Sequence, residues 1–226
     1  MGMTYVIADL HGRRDLLDAA LGGIEMKEGD NNYKIVFLGD YVDRGPNSCG
    51  VLERLIAGPK KENATWVCLK GNHDSMLSWV CRNVGPTAKA WSEDYAHHTF
   101  ASYPEGIVPK EHLDWIDALP LYHEDAHRIY VHAGIHPGLP LDKQREDMLL
   151  WFRYPDDFDK DYNGKHIVHG HTAKKKGPVR LQWRSNYDTA AWNTGRLVVG
   201  GFDDAIAGGA VTFFEIVGPK HEKGGD

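Results

Sequence analysis

Side chains that can bind metals or move protons follow five β-rich runs of this 226-residue sequence. In chain order, they are Asp9, His11, Asp40, Asn72, His73, His132 and His171. We expect them to converge, because the carboxyl ends of strands form the ligand crevice of an open α/β sheet. Carboxylate, amide and imidazole donors without a thiolate suit Mn, Fe, Zn or Co. Since one carboxylate can bridge two cations about 3.5–4 Å apart and so clamp a phosphoryl group, the sequence predicts a two-metal phosphoester hydrolase.

The spacing of these residues carries more weight than any one of them. Asp9, Asp40 or Asn72 alone would be an ordinary turn or cap residue. The five fixed positions of GDxxDRG over residues 39–45 would arise by chance at roughly one in a million sites, given average residue usage. DxH after the preceding run and GNH after the next one make coincidence negligible.

The runs between these residues predict the elements that position them. In the first half, β-rich runs at 5–8, 35–38 and 66–69 alternate with helical patterns, which favours parallel strands covered by helices. The predicted helices cover residues 13–21, 51–57 (with Ser48 as N-cap) and 75–82. Strands are predicted near 127–132, 165–169, 179–183, 197–202 and 210–217. The expected fold is therefore α/β, with two packed mixed β-sheets flanked by helices.

Composition excludes several classes of protein. Acidic residues outnumber basic ones by 32 to 26, which disfavours nonspecific binding of a nucleic-acid backbone. We see no apolar run of about 18 residues and no signal-peptide pattern, so we expect a cytoplasmic protein without membrane contact. We also expect a monomer with a single domain over 1–226. A helical or irregular segment at about 85–120 would lie on the substrate side, and 218–226 would be a flexible tail.

The motifs DxHG, GDYVDRG, GNHD, HAG and GHT, in this order, resemble the calcineurin-like metallophosphoesterases. More narrowly, the chain is similar to bacterial and phage serine/threonine protein phosphatases of the PPP type. Residues 132–141, 149–153, 186–189 and 194–197 carry this narrower resemblance, and the whole match runs from about residue 4 to 200. The resemblance implies the metallophosphoesterase α/β sandwich.

The resemblance also implies a ligand set for two divalent metal ions. One ion would be held by Asp9, His11 and Asp40. Asp40 would bridge to a second ion, completed by Asn72, His132 and His171. Mn²⁺ is the first candidate, with Fe, Zn, Co or Ni as others. His169 lies two residues before His171, and a supporting or rim position for it is the alternative to a ligand role.

The remaining roles implied by the resemblance concern proton transfer and phosphate binding. A hydroxide bridging the two metals would attack phosphorus in line, and His73 would protonate the leaving oxygen. Asp43 would orient His73, and its alternative is a plain salt bridge to Arg44. Arg44 and Arg153 would grip the phosphate oxygens. A surface position is the alternative for Arg153.

The sequence departs from the family pattern at several positions. Ala8 stands where glycine is usual, and Asp74 stands where the family commonly has glutamate, which shortens any contact by a methylene. Ala190 and Ala191 replace glycine-alanine, which could alter that turn. The expected glycine-rich loop reads DYAHHT over 94–99. His97 and His98 could touch the phosphate there, although exposed loop histidines are the default.

Three hypotheses about function follow. The preferred one is a protein serine/threonine phosphatase that acts on a phosphorylated protein or peptide. The alternative is a symmetrical bis(5'-nucleosyl)-tetraphosphatase, which shares every motif through HAG and acts on a small phosphoester; the length of the chain favours the phosphatase. A non-catalytic binding module is disfavoured, because all six predicted ligands, His73 and Arg44 are present.

Overall fold

Two mixed β-sheets of five strands each form the centre of the protein. The structure is a computed structural model, and it describes residues 2–83, 89–91, 93 and 95–220. In chain order, the strands are β1 (Met3–Ile7), β2 (Tyr33–Phe37), β3 (Ala64–Cys68), β4 (Tyr122–Glu124), β5 (Arg128–Val131), β6 (His166–His169), β7 (Val179–Arg180), β8 (Arg184–Asn186), β9 (Arg196–Asp203) and β10 (Thr212–Val217).

The first sheet has the order β10-β9-β1-β2-β3, and the second has the order β4-β5-β6-β8-β7. In the first sheet, β1, β2 and β3 are parallel, with Tyr5 opposite Ile35 and Ile35 opposite Trp66. In the second sheet, β5, β6 and β8 are parallel. Each sheet therefore directs the carboxyl ends of three parallel strands to one edge, which confirms the predicted mixed sheets.

Helices flank the sheets and provide the crossovers that parallel strands require. They are α1 (Arg14–Glu28), α2 (Ser48–Ile56), α3 (Asn72–Arg82), α4 (His97–Ala101), α5 (Lys110–Asp117), α6 (Glu146–Trp151) and α7 (Ala191–Thr194). Short 3-10 helices cover Pro104–Gly106 and Leu141–Lys143. The helix α1 continues past the predicted end at residue 21, because Ile24 extends the buried face of Leu16, Leu17 and Leu21.

Two predicted helix starts are wrong, and both corrections affect the site. Ser48 is not the N-cap of α2 but its first residue, and Asn47 caps the helix by accepting a hydrogen bond from the Gly50 N–H (2.8 Å). The third helix begins at Asn72 rather than at residue 75, which places Asn72 and His73 in its first turn. The helix start therefore fixes the backbone of two predicted site residues.

The two sheets pack against each other through a buried core. Val6, Val36 and Leu38 on the first sheet meet Tyr130 and Val168 on the second. Phe202 on β9 also lies in this core, with its ring 6.2 Å from Tyr130 and 6.0 Å from Tyr187. A second core lies between the first sheet and helices α1, α2 and α5. Contact between the sheets brings their carboxyl edges together.

The strand β8 differs from the sequence-based prediction. The strand predicted at 179–183 is only two residues long, because β7 ends at Arg180. The chain then reverses and pairs antiparallel as β8, whose three polar residues are all buried. The Arg184 guanidinium donates to the Phe158 carbonyl (2.8 Å) and to His169 Nε2 (3.0 Å). Because these bonds offset its burial, a strand forms without an apolar side chain.

The turn at Ala190 keeps a left-handed backbone, with φ 52° and ψ 47°. Glycine adopts this conformation freely, whereas an L side chain costs about 1–2 kcal/mol there. The turn still leads into α7, so the alanine is accommodated at a cost in strain.

The predicted segment 85–120 is helical in part, through α4, Pro104–Gly106 and α5. Residues 84–88, 92 and 94 of that region, and 221–226 of the predicted tail, lie outside the described residues. In the described part of the chain, no helix is both long enough and apolar enough to cross a membrane.

Candidate metal centre and active site

The loops that follow β1, β2 and β3 are joined by backbone hydrogen bonds. The N–H of His11 donates to the Asp40 carbonyl, and the N–H of Gly12 donates to the Tyr41 carbonyl, both at 2.8 Å. The N–H of His73 donates to Asp40 Oδ1 at 2.9 Å. The predicted convergence at the strand ends is therefore present, with Asp40 in its middle.

Asp74 anchors this junction, a role that the sequence did not reveal. Its carboxylate accepts hydrogen bonds from the N–H groups of Asp40 (2.8 Å), Tyr41 (2.9 Å) and Gly71 (2.9 Å). Burial, followed by the charge of Asp40, raises the pKa of Asp74 to about 7. The shorter side chain thus reaches three donors and holds the β2 loop against the start of α3.

Two glycines permit the close approach of the loops. A Cβ at Gly71 would lie 2.2 Å from the Asp40 nitrogen, and a Cβ at Gly170 would lie 2.1 Å from Asp9 Oδ1. Any side chain at either position would displace a predicted ligand. These glycines therefore shape the site as much as the ligands do.

The first ligand group consists of His11, Asp40 and His73, which are buried and present nitrogen and oxygen atoms within 4.8 Å of one another. His11 Nδ1 donates to the Val42 carbonyl (2.7 Å), so its Nε2 lone pair faces Asp40 Oδ2 at 3.5 Å. Burial, followed by the charge of Arg44, holds the pKa of His11 well below its ordinary value. A neutral imidazole and a carboxylate thus face each other as two electron-pair donors.

The second ligand group consists of Asp40, His132 and His171, with Asn72 between the two histidines. His132 Nδ1 donates to the Leu38 carbonyl at 2.7 Å. Its Nε2 lies 2.8 Å from Asn72 Oδ1, and His171 Nδ1 lies 3.0 Å from the same oxygen. His132 Nε2 also lies 3.5 Å from Asp40 Oδ1. The two oxygens of Asp40 therefore face different groups, as a bridging carboxylate requires.

Burial lowers the pKa of both histidines in the second ligand group. For His171, burial and the neighbouring His132 bring the pKa to about 3, and the pKa of His132 also lies below its ordinary value. Neutral imidazoles are the form that binds metals. Because His132 donates from Nδ1, its Nε2 lone pair and the Asn72 oxygen face each other as two electron-pair donors.

Further buried carboxyl groups lie at the same place. Burial, followed by the charges of Asp188 and Asp40, raises the pKa of Asp9 well above its ordinary value. Burial also raises the pKa of Asp188 to about 6. Asp9 accepts the His171 N–H at 3.1 and 3.2 Å and is not a member of either ligand group, whereas the first group includes His73, which the sequence predicted as a proton donor.

These donors fit a pair of divalent cations. Facing lone pairs and neighbouring carboxylates repel one another unless positive charge lies between them. Oxygen and imidazole donors suit Mn, Fe, Zn or Co, and the set does not select one of them. The described residues therefore support a metal centre that shares Asp40.

The His73–Asp43 pair has the geometry of an oriented proton donor. His73 Nδ1 lies 2.6 Å from Asp43 Oδ2, and Thr99 Oγ1 donates to Asp43 Oδ1 at 2.6 Å. Burial opposes the charged imidazole, but the Asp40 charge and the Asp43 hydrogen bond outweigh it and raise the pKa of His73. Of the two alternatives for Asp43, the geometry thus favours pairing with His73 over a salt bridge to Arg44.

The two arginines lie at the same cleft. Arg44 Nη1 lies 3.0 Å from His11 Nε2, Arg44 Nη2 lies 3.0 Å from His73 Nε2, and the guanidinium lies over the Trp192 ring. The cleft has a volume of about 310 Å³. Its lining residues are Asp40, Arg44, Asn72, His73, Met76, Trp91, Tyr95, Trp151, Arg153 and His171. Arg153 is exposed but faces the cleft.

The three further histidines considered from the sequence lie apart from the ligand groups. His97 and His98 are exposed, with ring centroids 4.0 Å apart, and neither lines the cleft. His169 is fully buried, donates from Nδ1 to the Gly170 carbonyl and accepts from Arg184. Burial and the Arg184 charge lower the pKa of His169 to about 3. His169 therefore supports the β6 end.

Backbone strain is concentrated at the site. Nine non-glycine residues of the described part have positive φ, and six of them are predicted site residues. Those six are Asp9, His11, Asp40, Asp43, Arg44 and His171. Such conformations cost about 1–3 kcal/mol each and persist where the surrounding structure holds them. The conformations that orient these side chains therefore lower the stability of the fold.

Sequence reasoning missed three supporting residues. Thr99 holds Asp43 from 56 positions away, and Arg184 holds His169 from a strand without an apolar residue. Asp188 adds a third carboxylate beside Asp9 and Asp40. Its place in the Asn186–Thr189 motif was the available signal.

Comparison with known proteins identifies related families. A family model described as calcineurin-like phosphoesterase matches residues 3–208. A Neisseria meningitidis protein is 32% identical over 167 residues, which cover 71% of this chain and 56% of that protein. A Pseudomonas fluorescens protein is 30% identical over 196 residues, which cover 82% and 62%. Both are described as symmetrical bis(5'-nucleosyl)-tetraphosphatases, and the chain spans only 56–62% of their lengths.

Solved structures share the fold at lower identity. A candidate diadenosine tetraphosphatase superimposes with a TM-score of 0.68 at 22% identity and covers 95% of this chain and 93% of its own. A protein serine/threonine phosphatase from Saccharomyces cerevisiae gives a TM-score of 0.60 at 15% identity, with 97% and 81% covered. At these identities the likeness shows the fold alone.

The relatives overturn the preferred functional hypothesis. The prediction of a protein serine/threonine phosphatase acting on a phosphorylated protein is wrong, because these curated relatives are tetraphosphatases. The motifs through HAG occur in both classes, so they could not separate them. The length of the chain was also a poor criterion, because a chain can match a longer relative over only part of its length.

Proposed function

The chain belongs to the calcineurin-like phosphoesterase family, and from this premise we propose that it hydrolyses dinucleoside tetraphosphates symmetrically. The observation that carries the proposal is the 32% identity, over 71% of this chain, to a symmetrical bis(5'-nucleosyl)-tetraphosphatase. The reaction would add one water across the central P–O–P bridge. One P–O bond forms, one breaks, and two nucleoside diphosphates leave.

In this proposal, the donors on either side of Asp40 hold two divalent cations. Asp9, His11 and Asp40 would hold one, and Asp40, Asn72, His132 and His171 would hold the other. When bound, such cations supply activation of water and neutralisation of charge on the phosphoryl oxygens. The Val42 and Leu38 carbonyls hold His11 and His132 by Nδ1, which leaves Nε2 of each ring for a metal.

His73 would hold a proton at Nε2 for the oxygen that leaves phosphorus. Asp43 favours the charged imidazole through its 2.6 Å bond to Nδ1. The neighbouring Ser48 and Thr99 hydroxyls accept the Asp43 N–H at 3.1 and 2.8 Å and so fix the loop. The proton donor is therefore oriented before substrate binds.

Arg44 and Arg153 would bind the non-bridging phosphate oxygens. A guanidinium offers paired donors in a fixed plane, which suits a phosphate. Arg44 is half-buried beside His73, whereas Arg153 lies exposed near His171. The substrate's phosphates would therefore meet one arginine beside His73 and another near His171.

A substrate panel with added Mn²⁺ tests this proposal. The panel contains diadenosine tetraphosphate, a phosphoserine peptide, a cyclic nucleotide and p-nitrophenyl phosphate. We expect the highest kcat/KM for the dinucleotide, with ADP as the sole product by chromatography. A product pair of ATP and AMP, or preferred cleavage of any other member of the panel, would overturn it.

A further inference from the structure

Aromatic side chains flank the cleft at two places. The ring of Trp91 lies 6.2 Å from that of His73, and the ring of Tyr95 lies 6.3 Å from it. The ring of Trp151 lies 6.3 Å from that of His171. All three aromatic residues line the cleft, together with Arg44 and Arg153.

These rings lie beside different histidines of the site. His73 belongs to the first ligand group, in which His11 Nε2 faces Asp40 Oδ2, and His171 belongs to the second, in which His132 Nε2 faces Asp40 Oδ1. Tyr95 and Trp91 therefore flank the first ligand group, and Trp151 flanks the second. A substrate that crosses both groups would meet an aromatic surface at each end.

The exposure of these rings is not explained by packing. Tyr95 is 50% exposed and Trp151 is 49% exposed, although large aromatic side chains are usually well buried. Trp91 packs partly against the helical core and stacks beside Tyr95 at 6.1 Å. Aromatic faces beside a cationic phosphate site are the elements from which nucleotide-binding surfaces are built.

The size of the cleft agrees with this arrangement. Its volume of about 310 Å³ lies at the low end of the range of about 300–1,000 Å³ for small-molecule pockets. An elongated dinucleotide cannot be enclosed there, so its ends must extend over the rim. Tyr95 and Trp151 line the cleft and are half exposed, so their rings can contact those ends.

We propose that Tyr95 with Trp91, and Trp151 on the other side, are stacking surfaces for the two nucleobases of the substrate. This inference rests on the proposed function, and it also specifies which way the substrate lies in the cleft. Because His73 would hold the proton for the leaving oxygen, the departing nucleoside diphosphate lies on the Tyr95 side. The base of the attacked half then stacks on Trp151.

The test compares diadenosine tetraphosphate with an abasic analogue in which hydrogen replaces each adenine. Stacking contributes about tenfold per base, so the wild-type kcat/KM ratio of the two substrates should exceed tenfold. Tyr95→Leu or Trp151→Leu should each lower that ratio about tenfold. Trp79→Leu is the matched control, because Trp79 is 41% exposed on α3 and does not line the cleft. An unchanged ratio in both cleft variants would overturn the inference.

Inhibition of p-nitrophenyl phosphate hydrolysis by products separates this inference from the proposed function. ADP should inhibit more strongly than ribose 5-diphosphate, and the two variants should reduce that difference while Trp79→Leu keeps it. If the wild type failed to cleave the tetraphosphate, the proposed function would fall and this inhibition would still decide on the stacking surfaces. Equal inhibition by both diphosphates in the wild type would refute them.

Discussion

The two ligand groups on either side of Asp40 are built in different ways. The first group takes His11 and Asp40 from the loops after β1 and β2 and His73 from the first turn of α3, and backbone N–H groups join these segments through hydrogen bonds. The second group joins Asn72 of the first sheet to His132 and His171 of the second. The first group is thus local to one sheet, whereas the second depends on how two sheets pack.

Because of this difference, different hydrogen bonds hold the two groups in place. In the first, the carboxylate of Asp74 holds backbone N–H groups of two loops at once. In the second, His132 donates across the sheets to Leu38, and His171 N–H donates across them to Asp9. Substitutions should therefore damage the groups separately, except at the carboxylate they share.

The largest effect should come from that shared carboxylate. Asp40→Asn removes a charge that faces both groups, and we expect kcat to fall at least about 10⁴-fold, since several kcal/mol of metal-derived stabilisation are lost. Elemental analysis should show fewer than two ions per chain. Asp142→Asn, at an exposed position, is the control. Full activity with two ions bound would show that Asp40 does not join the groups.

A smaller loss is expected when only the proton donor is removed. We expect His73→Ala to lower turnover about 10²- to 10⁴-fold. The loss should be greater for phenyl phosphate than for p-nitrophenyl phosphate, because the phenolate is more basic and needs the proton more. Equal losses across such a series would assign His73 a structural or metal-binding role instead.

The effect of Asp43 on the pKa of His73 should be visible in the pH dependence of activity. The charged form of His73 is present below its pKa, which lies above the ordinary value, so activity should fall as pH rises through it. Asp43→Asn removes a contact that raises this pKa and should move the alkaline limb to lower pH. An alkaline limb that stays in place would contradict the pairing.

All members of the second ligand group are ligands that the sequence predicted, whereas the first group contains His73 and not Asp9. Asp40 and Asn72 follow strands whose order and direction the β-rich runs reveal, so their convergence was predictable. The buried strand β8 was not, because the pattern of apolar residues cannot show that carbonyls and His169 satisfy Arg184. The substrate class was also out of reach, because both classes share the motifs that hold the metals.

The hydrogen bond from Thr99 to Asp43 is a contact that the sequence could not reveal, and a substitution at Thr99 tests its importance. Thr99→Ala removes the 2.6 Å hydrogen bond to Asp43 and should lower kcat about 10- to 100-fold, the size typical of a lost supporting partner. Thr99→Ser keeps the hydroxyl and should restore most of the activity. If the serine variant were as slow as the alanine variant, packing of α4 rather than the hydrogen bond would be responsible.

The smallest effect should separate the ligand groups most clearly. Phe202 and Phe37 are both fully buried on strands of the first sheet, but Phe202 faces the second sheet whereas Phe37 faces the helices. Each Phe→Leu change should cost a similar free energy of unfolding, about 1.5 kcal/mol or less. Only Phe202→Leu should weaken one of two Mn²⁺ sites in a titration, because it loosens the contact that aligns His132 and His171 with Asn72. Equal weakening by both variants would mean that the second ligand group responds to global stability and not to sheet packing.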